Sequence, residues 1–214
     1  MNNILELFRT NIGSHMWGME HPKSDIDMAV VYAMDSRDWI IGKKPRGKQV
    51  QDGMEDTTFY ELDVFITHLL KGNCNYLWAI MSPIMFSKYK SAFVELRQIV
   101  ATNIAKNCYY SIDGMSRHNI YHFIECGDRY SLKYKKKLNL IGRTLKFGIN
   151  ALLWGKYMFQ KTDIKSEEEL YDLKIALNNA FLNSTLPEKP DPKPFHDYLV
   201  KWRLIKMKLD GLID

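Results

Sequence analysis

Cysteine is scarce in this chain of 214 residues: Cys74, Cys108 and Cys126 are widely spaced, odd in number and form no CxxC pair. That excludes a disulfide framework and a cysteine-rich zinc site, and the expected setting is a reducing one, the cytoplasm. Long apolar runs are also missing. None approaches the roughly 18 residues that a membrane-spanning helix requires, so no membrane partner is expected. The opening residues, MNNILELFRTN, lack a basic leader ahead of an apolar stretch, which argues against a secretory signal. No internal repeat is visible.

What the chain does have is an ordinary globular balance, 46% hydrophobic and 26% charged. It is long enough to bury a real core. The net charge of +5 is unevenly placed. Between Asp128 and Lys146 stand Arg129, Lys133, Lys135, Lys136, Lys137, Arg143 and Lys146 against the single acid Asp128. Such a concentration suits a surface that meets phosphate, though solvated helix faces often look the same.

The first half reads as short strands and turns. Arg9–Ile12, Ile26–Tyr32 and Thr57–Tyr60 are the strand candidates, and Gly42–Gly53 reads as a loop. Val64–Leu70 and Tyr76–Met81 read as short helices. From about Phe93 onward the period becomes helical. Leu138, Ile141, Leu145, Ile149 and Leu152 make one apolar stripe over Lys136–Leu153, with Lys136 and Arg143 on the opposite face. Ser166 and Glu169 form a capping box that opens a helix to about Leu182. Pro187, Pro190, Pro192 and Pro194 make a stiff connector over residues 187–194, followed by a helix over about His196–Leu209. The expected fold is α+β, with a catalytic domain over residues 1–105 and a helical domain over 106–214.

The chemistry-bearing stretch is Gly13-Ser14-His15-Met16-Trp17-Gly18, then Ser24-Asp25-Ile26-Asp27 leading into Met28-Ala29-Val30-Val31. Asp25 and Asp27 are two apart on an extended segment, so both carboxylates point to one side. They repel unless a cation sits between them. Their hard oxygens suit Mg²⁺ or Mn²⁺, and two such ions can clamp both oxygens of an in-line displacement. Gly13 permits a tight turn, and Ser14 offers a hydroxyl and a backbone N–H to a triphosphate.

The glycine–serine turn, the spacer and an Asp-x-Asp strand in that order resemble the signature of the DNA polymerase β-type nucleotidyltransferase superfamily. Further matches narrow this to its RNA-repair-pathway branch, often associated with RNA ligases. They are Pro22-Lys23-Ser24-Asp25-Ile26-Asp27, then Asp56-Thr57-Thr58-Phe59-Tyr60-Glu61-Leu62-Asp63-Val64-Phe65, then Lys71-Gly72-Asn73-Cys74, and the spaced pair Lys136 and Arg143. The resemblance spans roughly residues 10–158. It departs from the family at His15, where an arginine is usual, and at Ala29, near which a basic residue is common. It departs also at Cys74 in place of proline and at Trp78 in place of an acid.

The resemblance implies a small palm with a mixed sheet and flanking helices, followed by a helical domain. It implies transfer of a nucleoside monophosphate from an NTP, ATP first, to a hydroxyl acceptor such as an RNA end. Asp25 and Asp27 would hold two Mg²⁺ or Mn²⁺ ions. Gly13, Ser14, Ser24, Lys136 and Arg143 would bind the nucleotide. A third metal carboxylate is expected on a neighbouring strand: Asp56, or alternatively Asp63, which also suits the first turn of a helix. In Asp56–Tyr60 the Phe59 side is expected to face the core, leaving Asp56, Thr58 and Tyr60 on the other. Two alternatives stand beside RNA: a protein hydroxyl as acceptor, and a non-catalytic RNA-binding protein that keeps the fold. His118 and His122 fall short of a zinc constellation. Lys43, Lys44, Arg46 and Lys48 could track a polynucleotide backbone, and Trp17 and Tyr32 could stack on a base.

Overall fold

A computed structural model describes residues 3–20, 24–45, 48–127 and 134–214. Pro22 and Lys23 of the motif, Arg46 of the basic loop, and Asp128, Arg129 and Lys133 of the basic segment lie outside the described residues.

The chain order begins β1 (Leu5–Ile12), α1 (Gly13–Met16), β2 (Ile26–Ala33), α2 (Ser36–Ile40), β3 (Lys48–Asp52), β4 (Glu55–Glu61) and α3 (Leu62–Leu70). It continues with α4 (Cys74–Met81), β5 (Met85–Phe86), α5 (Lys90–Thr102), α6 (Cys108–Ile120), α7 (Tyr134–Trp154), α8 (Glu167–Asn183) and α9 (Pro192–Leu209). A π-helical turn over Tyr121–Glu125 extends α6. Among the described residues five strands make one mixed sheet in the order β3-β4-β2-β1-β5, with β2 and β4 parallel and the other neighbours antiparallel. The fold is α+β. No described helix is long and apolar enough to cross a membrane.

Contacts divide the chain into two compact units: Met1–Leu70 with Asn75–Asn103 and Asp191–Asp214, and Lys71–Cys74 with Ile104–Pro190. In the first, alternation along β1, β2 and β4 sends Phe8, Val31 and Tyr60 to one face. There the Phe8 ring meets Phe65 of α3 and Phe93 of α5, at 6.0 and 5.3 Å between centroids. Tyr60 meets Phe65 and Tyr76, at 5.8 and 4.8 Å. The helix-covered side of β4 is therefore the Tyr60 side, whereas the sequence pointed to Phe59. A five-residue segment with one ring on each face leaves this open, and the aromatics of β1, α3 and α5 decide it. Phe59 instead meets Tyr32 across the strands at 6.4 Å.

The expected loop over Gly42–Gly53 contains a strand. β3 pairs with β4 from Lys48↔Phe59 to Asp52↔Glu55, closed by Gly53-Met54. Asp52-Gly53 ahead of an alternating run is a hairpin signal. The polar composition of Lys48–Asp52 hid it, because an edge strand need bury little. The C-terminal helix starts at Pro192, whose fixed φ suits a first helical turn. It belongs to the sheet unit rather than to the helical remainder. There Tyr198 donates its hydroxyl to the Ala92 carbonyl at 3.0 Å and Lys201 pairs with Glu95 at 2.7 Å.

The second unit is helical. Leu138, Ile141, Leu145 and Leu152 of the α7 stripe are buried with Ile112 of α6 and Leu170 and Leu177 of α8. Gly142 and Gly148 let the chain pack closely, since a Cβ would sit 2.4 Å from Ile164 and 2.9 Å from Ile112. The Ser166 hydroxyl caps α8 by accepting from the Glu169 N–H at 3.3 Å. Asp113, nearly buried on α6, pairs with Arg117 at 2.9 Å and with Lys174.

Candidate active site

β1 ends where Gly13 turns the chain. Its φ of +66° lies in the left-handed region. A Cβ there would sit 1.9 Å from Oδ2 of Asp27, so the carboxylate of β2 lies against the bare Cα of Gly13. Only glycine meets both conditions. The turn is laced by the Trp17 and Met19 amides, which donate to the Ser14 carbonyl at 3.2 and 3.0 Å. Register explains the closeness: Ile12, the last residue of β1, pairs with Asp27.

On the other side of β2, Asp27 pairs with Asp56 of β4 in the parallel ladder, and Gln51 of β3 pairs with Asp56. Residues directly opposite in a ladder project from the same face. Asp27 and Asp56 thus stand side by side on one face of β2 and β4, and Gly13, the first residue after β1, lies against Asp27. Asp56 accepts from the Gln49 amide at both oxygens, 3.0 Å at Oδ1 and 2.7 Å at Oδ2. Asp25 and Ser24 lie just before β2, Asp25 exposed and Ser24 half-buried. The Ile26 amide donates to the Met54 carbonyl at 2.8 Å, which ties the start of β2 to the β3–β4 turn. Further along the same face Tyr60 is pushed up to about 12 by burial, with Tyr76 adding to the shift, so its hydroxyl stays protonated.

Asp63 lies elsewhere. It sits in the first turn of α3, beyond the far end of β4, roughly 15–20 Å along the chain direction from Asp56. The Trp39 indole donates to it at 2.6 Å and Arg203 of α9 pairs with it at 2.8 Å. Arg203 also pairs with Glu61, with both side chains almost fully buried. Tyr32 lies at this end too, its hydroxyl raised by burial and then by Glu61. Glu61 stands in the family match, but nothing in the sequence joined it to Arg203 or pointed to Gln49. The first two are 142 residues apart, and Gln49 fell in the expected loop.

The remaining candidates divide as follows. Trp17 is a core residue, 3% exposed and edge-on to Trp78 at 5.8 Å, so it is not available for stacking on a base. His15, where the family carries arginine, keeps its Nε2 buried with no hydrogen-bond partner among the described residues. Lys136 is exposed and Arg143 half-buried on α7, in the second unit. Lys135 bridges Asp163 at 3.4 Å, and Lys137 lies 4.0 Å from the Phe123 ring centroid. The His118 and His122 rings are 4.3 Å apart. Among the described residues no group of three histidine, cysteine, aspartate or glutamate side chains converges to enclose an ion. Asp27 and Asp56 fit a hard divalent cation by donor type and by register, with Asp25 two residues along the chain.

A glycine–serine turn against one acidic strand, with a second acidic strand in parallel register, defines a polymerase β-type protein. Residues 2–146 match the RNA repair pathway DNA polymerase beta family, and the chain belongs to that family. No curated protein matches it.

Proposed function

We propose that the protein is a metal-dependent nucleotidyltransferase that moves a nucleoside monophosphate from an NTP, ATP first, to the hydroxyl of an RNA end. The observation that carries this is the Asp27–Asp56 pair with the Gly13 turn packed against Asp27. It sets two carboxylates side by side on one face, with a backbone turn fit for phosphates at their edge. Family membership over residues 2–146 supports polymerase β-type chemistry and an RNA repair setting.

Asp25 and Asp27 would hold Mg²⁺ or Mn²⁺, two ions in all, with Asp56 completing the donor set. The ions supply charge neutralisation at the phosphates when bound. Ser14 and Ser24 position the triphosphate through hydroxyl and backbone N–H groups. The acceptor oxygen forms a bond to the α-phosphorus, the bond from that phosphorus to the bridging oxygen breaks, and pyrophosphate leaves with the electron pair. Asp56 takes the proton of the acceptor hydroxyl. The family resemblance assigns Lys136 and Arg143, both on α7, to phosphate binding. The reaction takes place in the cytoplasm.

The test is incubation with each α-labelled NTP, Mg²⁺ or Mn²⁺, and a mixed RNA pool beside cell lysate. Label on RNA is the expected result. Label on protein alone moves the acceptor to a protein hydroxyl, and no label on either under any NTP and metal overturns the assignment.

A further inference from the structure

We infer that Gln49 is the positioning residue for Asp56: its side-chain amide, reaching from the edge strand, holds that carboxylate in the orientation metal binding needs. This rests on the proposed role of Asp56 in the metal site. Gln49 pairs with Thr58 and Gln51 pairs with Asp56, so Gln49 stands diagonal to Asp56 on the same face. A diagonal neighbour is within reach of a long side chain. The amide nitrogen lies 3.0 and 2.7 Å from the two oxygens of Asp56. The donor assignment is fixed by chemistry, because an ionised carboxylate only accepts.

The choice of amide matters. A lysine at Gln49 would bring a charge that competes with a cation for Asp56. Glutamine supplies hydrogen bonds without charge and uses one lone pair of each oxygen, leaving the others for an ion. Carboxylates that ligate metals are commonly held in this way by outer partners. Asp27 is given room by the absence of a side chain at Gly13, and Asp56 is held by the presence of one at Gln49. Gln49 is exposed on an edge strand, so its own contribution to stability is small.

The experiment is an electron paramagnetic resonance titration of Mn²⁺ with the full chain, without nucleotide. It compares the parent with Asp27→Asn, Asp56→Asn, Gln49→Leu and the double variant Gln49→Leu/Asp56→Asn. Expected are loss of binding in Asp27→Asn and roughly tenfold weaker binding in Gln49→Leu with an unchanged melting midpoint. Gln49→Leu should add nothing once Asp56 is already asparagine, the mark of a direct coupling. Gln49→Asn, one methylene short of spanning both oxygens, gives an intermediate loss and serves if the leucine variant folds poorly. Parental Mn²⁺ binding in Gln49→Leu, or the same loss in both backgrounds, overturns the role of Gln49 and leaves the metal site standing. A parent whose Mn²⁺ binding does not depend on Asp27 overturns both.

Discussion

The two ends of β4 each carry acidic side chains, and they are handled in opposite ways. At one end Asp56 stands beside Asp27 and accepts from the neutral amide of Gln49. At the other, Glu61 and Asp63 share the guanidinium of Arg203, and Trp39 closes over Asp63. A buried charge without a partner is very costly, so the chain itself supplies Glu61 with a counter-charge. At the Asp27 end the register sets two carboxylates side by side, a like-charged pair. One end of the strand is thus tied to α9 by ion pairs, and the other sets two carboxylates beside the Gly13 turn.

Substitutions at each end should separate these roles. Asp27→Asn has the largest expected effect: nucleotide transfer falls about 10³-fold or more, while the melting midpoint holds or rises because a like-charge repulsion is relieved. Quantified product formation beside a thermal melt checks it, and near-parental turnover would break the contrast. Gly13→Ala comes next. The added Cβ has to displace the Asp27 carboxylate, so transfer should fall about 10²-fold and stability by about 1–3 kcal/mol. Gly42→Ala is the control: Gly42 also has a positive φ, but a Cβ there meets nothing within 4 Å, and activity should be untouched.

At the other end the order reverses. Glu61→Gln should cost about 3 kcal/mol in denaturant unfolding, by leaving Arg203 short of a buried counter-charge, with activity per folded molecule unchanged. Asp63→Asn should cost only about 1 kcal/mol, because the Asp63 side chain is 37% exposed. Loss of catalysis from Asp63→Asn without loss of stability would place a catalytic carboxylate at the wrong end of the strand.

Much of the arrangement was legible beforehand, and the reasons are local. Ile12-Gly13-Ser14 and Asp25-Ile26-Asp27 announce their geometry through backbone permissiveness and a period of two. The α7 stripe and the Ser166 cap depend on neighbours three and four residues apart. Asp56 and Asp63 could not be separated by such rules, since each is an acid beside apolar residues. The register of β2 against β4 places the first next to Asp27, and a guanidinium from α9 claims the second. β3 was missed because Lys48–Asp52 is too polar to read as a strand, and Gln49 was missed with it.

The pairing of Glu61 with Arg203 also has a consequence in time. The sheet strand and its counter-ion are separated by 142 residues, with the whole second unit encoded between them. At ~5–20 residues per second of synthesis, that interval is roughly 7–30 s. Throughout it, a nascent sheet holds a carboxylate whose partner does not yet exist. The strands can align early, but the seal on that edge waits for α9 to leave the ribosome, so the first unit to begin forming is among the last to finish.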